Sequence, residues 1–236
     1  MSLRMSSVAE AASPATAPEG KRRRGKAAAT RQRIVRSAYD EFAEYGFDGA
    51  RVDRIVERAE ISKNLLYHHF EGKEDLFIRV MEIVYQEMRI CHQDTLLINL
   101  DPREAMAKLV RDTFAHFVKS PHAINLMNSE NLHRAKHIKT SKLIRDMYNP
   151  LLENIKVILE KGQEAGHFRN NVDPIELYIS ISGLGYFYLS NQYTLGTIFN
   201  RKLATKQGIK DRTEHIVDVI MTYLQTPEKG RQDGRH

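Results

Sequence analysis

From Thr30 to Tyr45 the apolar residues Ile34, Val35, Ala38, Tyr39, Phe42 and Ala43 recur at helical spacing, with Arg31, Arg33, Arg36, Asp40 and Glu44 on the other faces. The pattern predicts an amphipathic helix that stops at Gly46. Val52, Ile55, Val56 and Ala59 then predict a second helix of little more than two turns. Ile61-Ser62 ends it and opens a third, with Ser62 as N-cap and Leu65, Leu66 and Phe70 turned at least partly inward. Two short helices joined by a tight turn and propped on a longer one form the unit that presents its last helix to a major groove.

Beyond Lys73 the chain has longer helical periods and no strand-like alternation, so the expected fold class is all-α. A linking helix is predicted from Lys73 to about His92, with Leu76, Phe77, Val80, Ile83, Val84 and Met88 inward. The next starts at Asp101-Pro102, an acidic cap with a first-turn proline, and runs to Lys119. Another follows from Pro121 to about His133. The long period from Ile138 to Ala165 contains Pro150, which should kink or split it before Gly162 and Gly166 end it.

Asp173-Pro174 opens a helix that is apolar on nearly every side. Ile175, Ile179, Ser182, Tyr186 and Leu189 fall on one face, and Leu177, Ile181, Leu184 and Tyr188 on another. Burial on both faces is most simply met by the chain's own domain on one side and a second copy on the other. Thr213 to Leu224, with Ile216, Val219, Ile220 and Tyr223, would complete a two-fold four-helix interface. The expected contact set is Leu177, Ile181, Leu184, Tyr188, Ile216, Ile220 and Tyr223, with Gly183 and Gly185 allowing close approach.

Charge sharpens the picture. The chain has 236 residues and a net charge of +6, yet residues 1 to 36 hold nine Lys or Arg against Glu10 and Glu19, so the rest is close to neutral. A basic end on a neutral body points to a polyanion held at one place, nucleic acid before membrane. Residues 1–27 have no apolar period and read as a disordered basic arm. It would either lie along phosphates or in a minor groove, or serve only as a solubilising leader. The single cysteine, Cys91, leaves no intrachain disulfide, and the absence of a secretory pattern at the start makes the cytoplasm, on the nucleoid, the expected setting. Leu177 to Asn200 carries no charge but is neutral rather than oily, so no membrane partner is expected.

The order Ile34, Ala38, Phe42, Gly46-Phe47, Val52, Ile55, Ala59, Ile61-Ser62, Leu66-Tyr67, His69-Phe70, Lys73-Glu74 and Leu76 closely resembles the N-terminal domain of TetR-family transcriptional regulators. The stretch around Asp173-Pro174 and Gly183 to Asn191 is loosely similar to the pyrimidine-utilisation branch. The resemblance implies a helix-turn-helix DNA-binding domain over 28–74, a helical effector-binding and dimerisation domain over 75–226, and a disordered tail over 227–236. It implies double-stranded DNA with a two-fold symmetric operator, a homodimer and a small effector as partners, and no cofactor.

The chemistry of the third helix assigns roles that agree. Ser62 and Lys63 suit phosphate at the helix start, Asn64 suits adenine, and Leu65 suits a thymine methyl group. Tyr67 and His68 come one turn later and Lys73 opens the next helix, while Leu66, Phe70 and His69 read as support. Ala50-Arg51 stands where the family often has a small hydroxyl residue, which leaves Arg51 as a replacement phosphate contact. Effector-lining candidates are polar or aromatic residues among apolar neighbours: Phe114, Phe117, Asn125, Met127, Asn128, Tyr148, Tyr178, Ser182, Tyr186 and Tyr193. Glu130, His133 and His137 fall close at helical spacing, but without a fourth ligand a solvated charged face is the expected reading and no metal site is assigned.

Two other functions compete. A helical enzyme is disfavoured because the chain has no phosphate-binding glycine loop, no HExxH and no nucleophile elbow. A basic-tailed adaptor would bind nucleic acid without reading it, and its binding would vanish with residues 1–27.

Overall fold

The structure, a computed structural model, describes residues 19–90, 97, 99–147 and 149–225. Most of the basic arm, Cys91, Tyr148 and the 227–236 tail lie outside the described residues. The order is α1 (Glu19–Gly49), α2 (Val52–Arg58), α3 (Lys63–His69), α4 (Lys73–Ile90), α5 (Pro102–Lys119), α6 (Pro121–Leu132), a 3-10 turn (Ile138–Thr140), α7 (Lys142–Asp146), α8 (Asn149–Glu164), α9 (Pro174–Ser190), α10 (Gln192–Ile198) and α11 (Lys206–Leu224). Among the described residues there is no strand, only an isolated antiparallel bridge between Phe168 and Gln225. No described helix is long and apolar enough to cross a membrane.

The helix α1 extends the predicted one back to Glu19, into the segment expected to be disordered. Ala27, Ala28, Ala29 and the flanking basic residues are good helix formers, so the helix continues outward without needing a core. Gly46 breaks it with φ 67°, a conformation that costs an L side chain. Ile34, Ala38 and Phe42 from α1 meet Ile55, Leu66 and Phe70 from α2 and α3, all buried. Phe77 of α4 closes this small core, edge-on to Phe42 at 5.0 Å between centroids. Each such buried side chain stabilises the head by roughly 1.5–3 kcal/mol, which is how seven-residue helices hold their places.

Local capping sets the body helices as expected at α5, where Asp101 accepts from the Arg103 amide at 3.0 Å, and at α9, where Asp173 accepts from Ile175 at 2.7 Å. Pro150 falls in the first turn of α8, and the predicted long segment is split into the 3-10 turn, α7 and α8. The sequence pattern gives no sign of α10, and α11 starts earlier than expected because Thr205 caps it, accepting from Gly208 at 3.0 Å. In the centre α5 packs against α8, α9 and α11.

That packing overturns much of the expected dimer set. Leu177, Ile181, Ile216 and Ile220 are buried within one chain, at no more than 2% exposure. Tyr188 and Leu184 are half-buried, the Tyr188 hydroxyl donating to Leu203 O at 2.9 Å. Of the expected set only Tyr223 stays exposed. The other side of α9, Ile175, Ile179, Gly183 and Phe187, faces outward, with Ile175, Ile179 and Phe187 all more than half exposed. A helix apolar on all sides does not say which side its own domain takes.

Candidate nucleic-acid interface

The third helix is divided cleanly. Leu66 and Phe70 lie behind it in the core, while Ser62, Lys63, Asn64, Leu65, Tyr67 and His68 are exposed on its outer side. Ser62 caps it, accepting from the Leu65 amide at 3.2 Å. Lys63 is paired with Asp53 of α2 at 2.9 Å, an exposed ion pair that raises the lysine's pKa through the hydrogen bond. His69 is half-buried behind the outer face, and burial, then His68 and Arg31, lower its pKa.

Arg51 and Lys73 flank this face. Arg51 is the N-cap of α2, and its side chain makes no cap bond. Its backbone amide instead donates to Glu41 Oε1 at 2.9 Å, and Arg54 Nε donates to the same oxygen at 2.7 Å. Glu41, fully buried on α1, thus supplies from a neighbouring helix the cap that Ala50-Arg51 lacks. It stands in the stripe Ile34, Ala38, Glu41, Tyr45 at helical spacing, and an acid inside an apolar stripe was the signal for it. Lys73 sits half-buried with its ammonium 4.8 Å from the Phe47 ring centroid and 3.3 Å from Asp48 O, and burial lowers its pKa.

The end of α1 beyond its break at Gly46 is bound to α6. Phe47 N donates to Ser129 Oγ at 3.1 Å, and His133 Nε2 lies 3.2 Å from Asp48. Glu130 and His137 are buried, so the expected solvated face is not there. Glu130 Oε1 accepts from the amides of His137 and Ile138 at 2.8 and 3.0 Å, and its Oε2 pairs with His137 Nδ1 at 2.6 Å. The His137 ring rests 4.3 Å from Phe47 and 4.9 Å from Phe77. These contacts join the reading head to the body.

The effector candidates separate. Tyr178, Ser182 and Tyr186 share one inner face of α9, and Tyr186 donates through its hydroxyl to Asn128 of α6. Phe117 stands edge-on to Tyr186 at 5.9 Å. Phe114 is core, packed on Gly185, where a Cβ would stand 2.9 Å from its ring. Asn125 does not join them: its amide donates to Ala43 O in α1 at 3.2 Å, because its face of α6 packs on the head. Met127 is buried and Tyr193 is 81% exposed. Sequence reasoning missed Arg89, whose guanidinium donates to Tyr178 Oη at 2.7 Å, and Tyr85, which lies near Tyr178 and Tyr186. A cleft of about 820 Å³ lies elsewhere, between α1, α4 and the α5–α6 turn, and none of the expected effector residues lines it.

Comparison with known proteins agrees with this arrangement along most of the chain. Residues 34–80 match the model for bacterial regulatory proteins of the tetR family, and residues 102–220 match a tetracyclin repressor-like C-terminal domain. The chain is 31% identical over 195 residues to the HTH-type transcriptional repressor NicS of Pseudomonas putida, covering 83% of this chain and 92% of that protein. It is 27% identical to the repressor AcnR of Corynebacterium efficiens, covering 84% and 94%. A crystal structure of a transcriptional regulator from Streptomyces coelicolor superposes with a TM-score of 0.64 at 25% identity, over 83% of this chain and 98% of the other. With a matched reading head in front of a matched helical body, the chain belongs to the TetR family and is a DNA-binding transcriptional regulator.

Proposed function

We propose that the protein is a homodimeric repressor that occupies a two-fold symmetric operator through α3 and leaves it when a small effector enters the body. One observation carries the reading: the outer side of a capped α3 offers Lys63, Asn64, Tyr67 and His68 together, while Leu66 and Phe70 fix the helix from behind. Asn64 and Leu65 meet base edges. Ser62, Lys63, Tyr67, His68, Arg51 and Lys73 hold phosphates, Lys63 exchanging Asp53 for the backbone. Repression follows from occupancy, and both named relatives are repressors.

The head spans 28–74 and the body 75–226, working in the compartment that holds the chromosome. A second copy covers the outward stripe Ile175, Ile179, Gly183 and Phe187, joined by Val219 and Tyr223 of α11. An exposed apolar stripe of this kind on a helix is an interface signature.

Selection of bound duplexes from a random pool tests the reading at near-physiological salt, where purely electrostatic binding is suppressed. The expected product is a two-fold site with half-sites about one helical turn apart, ~34–36 Å. Recovery of no consensus, with binding lost on removal of residues 1–27, would replace it with the adaptor.

A further inference from the structure

The cleft of about 820 Å³ between α1, α4 and the α5–α6 turn has one wall in the head and the others in the body. Buried Val35 and half-buried Ile83 give it apolar lining, and four Lys or Arg side chains stand around that lining: Arg31 and Arg36 of α1, Arg79 of α4 and Lys119 at the end of α5. Among the described residues Arg31, Arg36 and Lys119 make no ion pair, and Arg31 lies instead over the Phe70 ring, 4.9 Å from its centroid. Arg79 gives Nη1 to Glu82 at 2.9 Å, while its Nε–H is buried with no acceptor. Native structures rarely leave a buried donor so, and here it belongs to a side chain that lines an open space.

Negative charge in the same cleft gathers on Tyr39. Burial first, then the charges of Glu87 and Asp40, push its hydroxyl up to about 12, so it keeps its proton and stays a donor. Both acids line the cleft, and the His122 ring stands 5.9 Å from the Tyr39 ring, tilted by 40°. Arg31 and Tyr39 are eight residues apart on α1, which sets them ~12 Å from each other along its axis. The cleft therefore offers cations, a half-buried aromatic ring and two carboxylates within the span of one small molecule.

A compact anion would leave Asp40 and Glu87 facing charge of their own sign, and an organic cation would meet the arginines. A nucleotide answers both. We propose that this cleft is a nucleotide-binding site, with the phosphate among Arg31, Arg36 and Arg79 and the base against Tyr39, its N–H edge donating to Asp40 or Glu87. Guanidinium forks match phosphate oxygens, several cations suit a phosphate better than a single carboxylate, aromatic faces stack on bases, and carboxylates accept from base amino groups. None of the residues expected to line the effector pocket is here, so the site is separate from the one in the reading above. Because the cleft lies between head and body, a nucleotide that fits one spacing of its walls better than another biases the head, and operator affinity with it.

The test is calorimetric titration of the full chain with AMP, ADP, GMP and GDP, each beside its nucleoside and beside inorganic phosphate. At least one nucleotide should bind saturably, with its nucleoside and phosphate alone roughly tenfold weaker or more. Arg79→Gln should lower that affinity roughly tenfold, and Asp40→Asn should change the preference between adenine and guanine. Should Arg79→Gln fail to fold, Arg36→Ala at an exposed position carries the test. No binding by any nucleotide, equal binding of nucleotide and phosphate, or affinity unchanged in both arginine variants would each overturn the inference. Operator affinity is measured on the same samples and should shift roughly fivefold or more when the nucleotide is present. No shift would overturn the coupling. Operator binding that persists in the free protein while every nucleotide fails leaves the regulator standing and removes only this site.

Discussion

Ser129 of α6 accepts a hydrogen bond from the backbone amide of Phe47 at 3.1 Å, across 82 positions of sequence. The next residue back, Gly46, is where α1 breaks, and a Cβ placed there would stand 3.4 Å from the same hydroxyl. Asn128, one position before Ser129, bonds Tyr186 in the interior. One helix therefore touches Tyr186 of α9 with one residue and the base of the reading head with the next. A shift of α6 that suits a ligand would displace the joint between α1 and α2, which is the differential contact that coupling requires.

Ser129→Ala should therefore cost about 1 kcal/mol in unfolding stability, the size of one net hydrogen bond, and reduce the effector's influence on operator affinity more than affinity itself. Gly46→Ala should cost more, roughly 1–3 kcal/mol, because φ 67° with ψ −178° is a backbone conformation that an L side chain rarely adopts, while a Cβ there would meet Ser129 only at ordinary contact distance. Denaturant unfolding and operator titrations with and without effector measure both.

Glu41 should give the head its acid sensitivity. Burial alone raises a carboxyl pKa, but the hydrogen bond from Arg54, the Arg51 amide and the charges of Arg54 and Arg58 outweigh it and leave the pKa below its ordinary 4.5. A depressed folded pKa contributes stability that is complete above the unfolded value and lost as pH falls through the folded one. Unfolding at neutral pH should show Glu41→Gln less stable by about 1.5 kcal/mol, a charge-assisted bond discounted for an Arg54 that is 36% exposed. Below pH 4.5 the gap between wild type and variant should narrow; a constant gap would show that the carboxylate's charge is not what matters.

Phe187→Glu or Ile179→Glu should yield a folded monomer, read by sedimentation, with helicity kept and operator binding lost. Ile181→Ala, two residues from Ile179 but buried, should instead cost about 2–5 kcal/mol of stability without changing the oligomeric state of what remains folded. If Ile181 rather than Ile179 controlled association, the outward stripe would not be the interface.

The head was legible because its constraints are local and repeated: an apolar stripe, a glycine stop, a serine cap and two hydrophobic anchors behind α3. The body was legible as helices but not as faces. On α9 the apolar residues surround the axis, so Leu177 and Ile179 look equivalent in sequence and are opposite in the structure. Buried charge was the other blind spot. Glu130 and His137 read as part of a solvated face because charged side chains usually are, and only the fold shows that they are buried and satisfy each other. Asn125 was misplaced for a related reason, since its partner is a backbone carbonyl of α1 far away in the chain.

The most direct test of the central claim is to select duplexes from a random pool with wild type, Asn64→Ala and Lys73→Ala side by side. Asn64→Ala should relax or change the preference at one position in each half-site, at a cost of about 1–3 kcal/mol for that base, while Lys73→Ala should weaken binding across all sequences and keep the consensus. An unchanged consensus from Asn64→Ala, together with unchanged affinity from Lys73→Ala, would contradict the account and place DNA recognition somewhere other than α3.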